Sequence, residues 1–206
     1  MWNMSPGYAR AYFVAMNKQR LEAFSDGVIA ILITIMVLEL RGPQVPTFAA
    51  LTEIWPVFFS YVLSFIYLGI YWNNHHHMLH AARHVSGGVL WANLHLLFWL
   101  SLFPFATAWM GENHFAPAPT ALYGVVLLGA ALAYWFLQQR IIAIDGSDSV
   151  LALAVGNDLK GKISPLFYIA GILLAFVERH VSEALYIAVA LVWLIPDPRI
   201  ERRLQR

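Results

Sequence analysis

Long apolar stretches recur along the 206 residues of this chain, and short polar links separate them. A helix needs about 20 mostly apolar residues to cross the roughly 30 Å of hydrocarbon in a bilayer. The pattern predicts six membrane spans, at about 21–40, 48–72, 89–110, 120–137, 163–177 and 181–195. A tight turn around Glu178, Arg179 and His180 separates the last two, which are short. We therefore expect an all-α membrane protein in which residues 1–206 form one six-span domain.

The amino-acid composition excludes several classes of protein. Hydrophobic residues make up 60% of the chain and charged residues only 12%, against roughly 25% charged residues in an average globular protein. This much apolar and aromatic material rules out a disordered chain. The 13 Lys+Arg and 12 Asp+Glu leave a net charge of +1, without the basic excess of a nucleic-acid-binding protein. The absence of cysteine excludes a disulfide framework and a thiolate metal site.

The distribution of basic residues predicts the orientation of the spans. Cytoplasmic segments of membrane proteins carry an excess of Lys and Arg. With both termini in the cytoplasm, only Arg41 and Arg179 lie outside. The remaining basic residues then lie on the inner side, and they are Arg10, Lys18, Arg20, Arg83, Arg140, Lys160, Lys162, Arg199, Arg202, Arg203 and Arg206. We therefore predict a multi-pass protein of the cell inner (plasma) membrane with both termini cytoplasmic.

The first span contains an ionisable residue, Asp26. A carboxylate within a span is costly and usually has a partner in a polar protein interior. At about 100° per residue, a stripe roughly 120° away from Asp26 holds Gly27, Ile31, Thr34, Ile35 and Leu38. This pattern indicates a helix with one ionisable face and one apolar face that carries a single hydroxyl. A helix buried on all sides, with Ser25 and Asp26 bonded to nearby backbone, fits the periodicity as well.

A short motif opens this span, formed by Arg20, Phe24, Ser25 and Asp26. The downstream segments add Trp72 with His75 or His76 at the end of the second span, Asn93 in the third, and Pro104-Phe105 near its end. Combined with six predicted spans, these residues resemble the transmembrane protein 175 family of potassium channels. The resemblance covers essentially the whole chain.

The resemblance implies a homotetrameric channel without a pore-loop filter, since single-repeat members of the family form homotetramers. In the family the first helix lines the pore, and the positions that match its constriction are Ile31 and Leu38. Thr34 matches a pore hydroxyl that could coordinate potassium, and Ile35 is an alternative residue of the middle layer. A ring of apolar side chains closes to ions by dewetting. The chain lacks a Thr-Val-Gly-Tyr-Gly carbonyl filter, so a moderate preference for potassium over sodium is expected.

The resemblance also implies a polar network between helices that fixes the rotation of the first helix. The signature and network residues are expected to be Arg20, Phe24, Ser25, Asp26, Trp72, His76 or His77, and Asn93. Each such bond in a membrane contributes about 0.6 to 2 kcal/mol. The histidine run at 75–77 and 80 has no nearby carboxylate, so no metal site is predicted.

Two functions remain open from the sequence. The first is passive conduction of cations with a preference for potassium, with potassium as the permeant ion and no cofactor. The alternative is a proton-coupled secondary transporter that uses Asp26 and the histidines as a relay. An enzyme is not expected, because no nucleophile–base pair or metal–carboxylate set stands out. The expected partners are further copies of the chain, membrane lipid and permeant cations, without nucleic acid.

Overall fold

Every regular element of the described residues is a helix, in a computed structural model that describes residues 6–156 and 158–194, with side chains from Lys18 onward. The elements are α1 (Pro6–Leu38), a short 3₁₀ helix (Phe48–Thr52), α2 (Trp55–Ala81), α3 (Gly87–Ser101), α4 (Phe103–Glu112), α5 (Pro117–Asp145), α6 (Val150–Val155), α7 (Leu159–Leu174) and α8 (Arg179–Leu194). This confirms the prediction of an all-α protein.

Four helical segments are long and apolar enough to cross a membrane, namely Lys18–Leu38, Trp55–Ala81, Gly87–Glu112 and Pro117–Asp145. They overlap the first four predicted spans. The last two predicted spans fall on α7 and α8, which have 16 residues each and are about 24 Å long. Their crossing of the membrane stays a prediction. Residues of the predictions that lie outside the described part are Ile195, Arg199, Arg202, Arg203 and Arg206, together with the side chain of Arg10.

Several helices extend beyond the predicted spans. α1 begins at Pro6, and α2 continues to Ala81, so the histidine run that follows the second predicted span is helical. α5 continues to Asp145, and the segment 138–162 between the fourth and fifth predicted spans also contains α6. Hydropathy marks only the apolar part of a helix, and polar end turns continue the same backbone hydrogen bonds.

The third predicted span, 89–110, is divided into two helices. α3 ends at Ser101, and α4 begins at Phe103. Pro104 lies in the first turn of α4. A backbone N–H in the first turn has no acceptor within the helix, so proline, which lacks this N–H, loses no hydrogen bond there. The interruption at Leu102 therefore has a cause in the sequence, because proline at this position disrupts the preceding turn.

α5 lies at the centre of the bundle and packs against α3, α4, α7 and α8. A glycine of α5 permits the close approach of α8, because a Cβ atom at Gly124 would overlap the ring of Tyr186. Gly171 of α7 lies against the same ring, where a Cβ atom would also overlap it. In the same way, a Cβ atom at Gly129 would overlap the ring of Trp99. α1 has a different position, at one side of the bundle, where it packs against α2, α3 and α4.

Polar bonds join Lys18 of α1 and the end of α5 to the end of α2 and the residues just after it, at the predicted inner face. Lys18 Nζ donates to the carbonyl oxygens of His80 and Ala82 at 2.8 and 3.0 Å. These carbonyls close α2, where the backbone has no helical partner left. The carboxylate of Asp145, at the end of α5, accepts from the backbone N–H of Arg83 at 2.7 Å. The segment between α2 and α3 is thus held from both sides.

Candidate pore helix and its polar network

One face of α1 packs into the bundle. Its buried side chains follow one another at helical spacing and are Leu21, Ser25, Ile29, Leu32 and Met36. Ser25 is completely buried, and Ile29 is 1% exposed. This stripe fixes which way α1 faces, because its residues contact α2, α3 and α4 and leave the opposite side outward.

The predicted pore stripe lies on the uncovered face of α1. Its residues Gly27, Ile31, Thr34, Ile35 and Leu38 are all exposed. Ile31 is 58% and Leu38 79% exposed, high values for large apolar side chains. At about 100° per residue, the centre of this stripe lies roughly 135° from the centre of the buried stripe. The chain's own described helices therefore do not cover it.

Thr34 is the hydroxyl on this face. Its Oγ1 donates to the carbonyl oxygen of Ile31 at 2.8 Å. A hydroxyl has one proton to donate and two lone pairs. Because the proton is directed along the helix, the oxygen of Thr34 can only accept from, or coordinate, a group on the exposed side.

Behind the exposed stripe, a chain of hydrogen bonds links three helices. Ser25 Oγ donates to the carbonyl oxygen of Leu21 at 2.8 Å, so it can only accept from Asn93 Nδ2, 2.9 Å away. This orients the amide of Asn93 and places its Oδ1 2.7 Å from His75 Nε2. Since an amide oxygen only accepts, His75 carries a proton on Nε2. Ser25, His75 and Asn93 are all buried.

Asp26 takes part in a separate contact at the edge of this network. Its Oδ1 accepts from Trp72 Nε1 at 3.0 Å. Asp26 is half-buried, and Trp72 is exposed over 46% of its surface. The carboxylate thus points toward α2, away from the stripe that holds Ile31 and Leu38.

The histidine of the network is His75, where we expected His76 or His77. Among the described residues, neither His76 nor His77 is hydrogen-bonded to Ser25 or Asp26. The ring of His76 is stacked on Trp72 at a centroid distance of 6.2 Å, and the edge of His77 faces it. His75 lies four residues after the buried Tyr71, so it shares the inward face of α2. That spacing was a usable signal for the correct histidine.

The remaining residues of the motif lie outside this network. Arg20 and Phe24 are both exposed, Phe24 over 53% of its surface. In the described part of the chain, no group of three or more His, Asp or Glu side chains is arranged to hold a metal ion.

Known proteins match the chain over nearly its whole length. The model of the family described as endosomal/lysosomal potassium channel TMEM175 matches residues 20–104. A potassium channel from Chryseobacterium sp. (strain P1-3) is 53% identical over 190 residues, which cover 92% of this chain and 99% of that relative. The chain belongs to the TMEM175 family of potassium channels.

Further comparisons place this TMEM175 family member among bacterial relatives. A potassium channel from Streptomyces collinus is 30% identical, over 86% of this chain and 92% of that protein. The crystal structure of a lysosomal potassium-selective channel TMEM175 homologue from Chamaesiphon minutus matches with a TM-score of 0.78 and 25% identity. The match covers 87% of this chain and 97% of that chain. The family and these relatives are channels and not enzymes.

Proposed function

We propose that this TMEM175 family member is a passive, potassium-preferring cation channel whose pore is lined by α1. Four copies would surround the pore, each contributing one α1 helix. The observation that carries the proposal is the uncovered stripe of α1, with Ile31 and Leu38 58% and 79% exposed. A hydroxyl, Thr34, interrupts this stripe, which a purely lipid-facing surface does not require.

The proposed gate is a pair of apolar rings. Ile31 and Leu38 lie seven residues apart, so their rings are about 10 Å apart along the axis. A narrow apolar neck excludes water because its wall offers no hydrogen bonds to replace those that are lost. Ile35 lies between the two rings, and the size of its side chain would set the width of the pore at that level.

The proposed ion contact is the oxygen of Thr34. Its proton already goes to the carbonyl of Ile31, so four such oxygens would present lone pairs to a partly dehydrated cation. A single ring of hydroxyls replaces less of the hydration shell than a carbonyl filter does. Moderate selectivity for potassium over sodium follows.

The membrane arrangement completes the proposal. We place the protein in the cell inner membrane with six spans, α7 and α8 included, and with both termini cytoplasmic. Its partners would be further copies of the chain, lipid and permeant cations. Potassium is the permeant ion, and no cofactor or nucleic acid is involved.

The alternative is a proton-coupled secondary transporter in which Asp26 and the histidines form a relay. A buried histidine that could carry a proton supports this alternative, and His75 is such a residue, hydrogen-bonded to Asn93. However, the proton of Ser25 is directed to a backbone carbonyl, and Asp26 is bonded to the indole of Trp72. Neither bond leads a proton onward, so the geometry supports a structural network better than a relay.

Single-channel recording in planar bilayers distinguishes these functions. We expect unitary currents whose reversal potential follows the potassium gradient more closely than the sodium or proton gradient. Currents without unitary steps that reverse with the proton gradient would instead establish the carrier.

Substitutions on α1 test the pore stripe. Ile31→Asn should raise the unitary conductance, because four amides hydrate the neck. Val37→Asn is the matched control, since Val37 is 45% exposed on α1 but lies outside the stripe. If Leu38→Asn raises conductance and Ile31→Asn does not, then the constriction is at Leu38. If Val37→Asn acts like Ile31→Asn, then the assignment of the pore face is wrong.

The role of Thr34 is tested separately. Thr34→Ala should lower the permeability ratio of potassium to sodium while conduction persists, because the coordinating oxygen is lost. Thr34→Ser retains the oxygen and should preserve the ratio. An unchanged ratio in Thr34→Ala would remove the hydroxyl from the selectivity mechanism.

A further inference from the structure

A cavity lies between α2 and the later helices of the bundle. It has a volume of about 350 Å³ and is lined by α2, α5, α6, α7 and α8 together with Asp158. A smaller space of about 50 Å³ shares Asn74, Tyr134, Gln138 and Asp158 with it. We refer to both spaces together as the interhelical cavity. Its volume lies within the range of about 300–1,000 Å³ for small-ligand sites.

The Gln138 side chain presents a polar group to this cavity. Gln138 is 6% exposed and lines both spaces. Among the described residues, its amide has no hydrogen-bond partner. Its polar atoms keep access to the cavity, so a bound group can supply the hydrogen bonds that the protein does not.

Three further polar groups of the cavity, on Asn74, Tyr134 and Asp158, leave acceptors unused. Asn74 Nδ2 donates to the carbonyl oxygen of Ile70 at 2.8 Å, so its Oδ1 remains. Tyr134 Oη donates to the carbonyl oxygen of Asn74 at 3.3 Å, which leaves its lone pairs. Asp158 Oδ1 accepts from the N–H of Gly161 at 3.0 Å, which leaves its second carboxylate oxygen. A set of acceptors with one negative charge fits a cationic donor.

The aromatic, charged and apolar residues that line the cavity indicate the chemical class of its ligand. The rings of Tyr134 and Trp193 line it, and aromatic faces attract organic ammonium groups. Lys160, whose Nζ donates to the carbonyl oxygen of Val192 at 3.1 Å, adds a positive charge to the lining that also holds the anionic Asp158. The apolar side chains of Phe65 and Leu194 line the same cavity and are 45% and 48% exposed. The charges therefore match a zwitterion, and the apolar wall continues toward the membrane side.

We propose that the interhelical cavity binds the headgroup of an aminophospholipid, with the primary ammonium among Gln138, Tyr134 and Asp158. The lipid phosphate would lie toward Lys160, and an acyl chain would lie against Phe65. This site is separate from the proposed pore, because none of the described lining residues belongs to α1. The site does not depend on how the channel conducts.

Thermal unfolding of the purified, detergent-solubilised protein tests the proposal. Phosphatidylethanolamine should raise the unfolding temperature more than phosphatidylglycerol or phosphatidylcholine with the same acyl chains. Phosphatidylglycerol lacks the ammonium, and the trimethylammonium of phosphatidylcholine has no N–H to donate. Equal stabilisation by all three lipids would overturn the proposal. If soluble phosphoethanolamine raised the unfolding temperature as much as phosphatidylethanolamine does, the proposal that the ligand is a lipid would be wrong.

Two variants locate the binding site, each with a matched control. Asp158→Asn removes the charge while asparagine still serves as the cap of α7. Gln138→Leu removes the amide at similar volume. Each should weaken binding of phosphatidylethanolamine about tenfold or more. Asp148→Asn and Gln139→Leu, whose side chains do not line the cavity, should bind as the unmodified protein does. Unchanged binding in both cavity variants would overturn the site.

Discussion

The bond between Ser25 and Asn93 gives the most direct energetic test of the network behind α1. Asn93→Ala removes a donor from Ser25 and an acceptor from His75, and all three groups are buried. Ser25→Ala removes only the acceptor of Asn93 between helices. Interhelical hydrogen bonds in membranes contribute about 0.6 to 1.7 kcal/mol each. We expect the free energy of unfolding to fall by about 1 kcal/mol in Ser25→Ala and by about 2 kcal/mol in Asn93→Ala.

A double-mutant cycle isolates the shared bond from the separate costs of the two substitutions. Unfolding in mixed micelles, followed by circular dichroism as sodium dodecyl sulfate is added, gives the four free energies. The expected coupling is about 0.6 to 1.7 kcal/mol. Ser60→Ala is the control partner for Asn93→Ala, because buried Ser60 donates to the carbonyl of Val57 in its own helix. A coupling for Ser25 no larger than that for Ser60 would refute the network.

Two further predictions concern packing and the inner face. Gly124→Ala should lower the free energy of unfolding by about 1–3 kcal/mol, because its Cβ would overlap Tyr186. The control Gly69→Ala, at a position with open space around it, should leave the free energy of unfolding unchanged or raise it. Equal effects of the two substitutions in the unfolding assay would contradict the packing. Asp145→Ala should speed hydrogen exchange of the Arg83 amide, measured by mass spectrometry, since that N–H loses its acceptor; unchanged exchange would argue against the bond.

The sequence was sufficient for the features that depend on periodicity along one helix. The offset between Asp26 and the stripe of Ile31 follows from 100° per residue, and the structure keeps these residues on different faces. Which histidine bonds to Asn93 could not be predicted from α1, because it depends on the rotation of α2. Consecutive histidines of α2 point in directions that differ by the same 100°. The rotation of α2 is fixed by buried residues such as Leu68 and Tyr71, and it selects His75.

Some helix boundaries could be predicted from single residues in the sequence, although hydropathy did not show them. Pro104 marked the start of α4, although the apolar run continues across it. Ser149 marked the start of α6 by accepting from the N–H of Ala152 at 3.2 Å. Hydropathy could not separate these helices, because it averages over windows longer than the interruption. The interhelical cavity gave no signal, since it depends on how five helices meet.

The hydrogen bonds that join the segment Lys18–Leu38 of α1 to other helices are unevenly placed along it. Lys18, Ser25 and Asp26 are hydrogen-bonded to groups on or just after other helices, whereas the later buried residues make apolar contacts and a single weak bond to Met36 sulfur at 3.9 Å. Hydrogen bonds need a narrow range of length and angle, while apolar contacts are not directional. The segment Lys18–Leu38 therefore has a stiff first half and a compliant second half, so we expect its Leu38 end to tilt about the bonded residues. In such a tilt, the displacement would grow with distance from Ser25 and Asp26 and would be largest at Leu38.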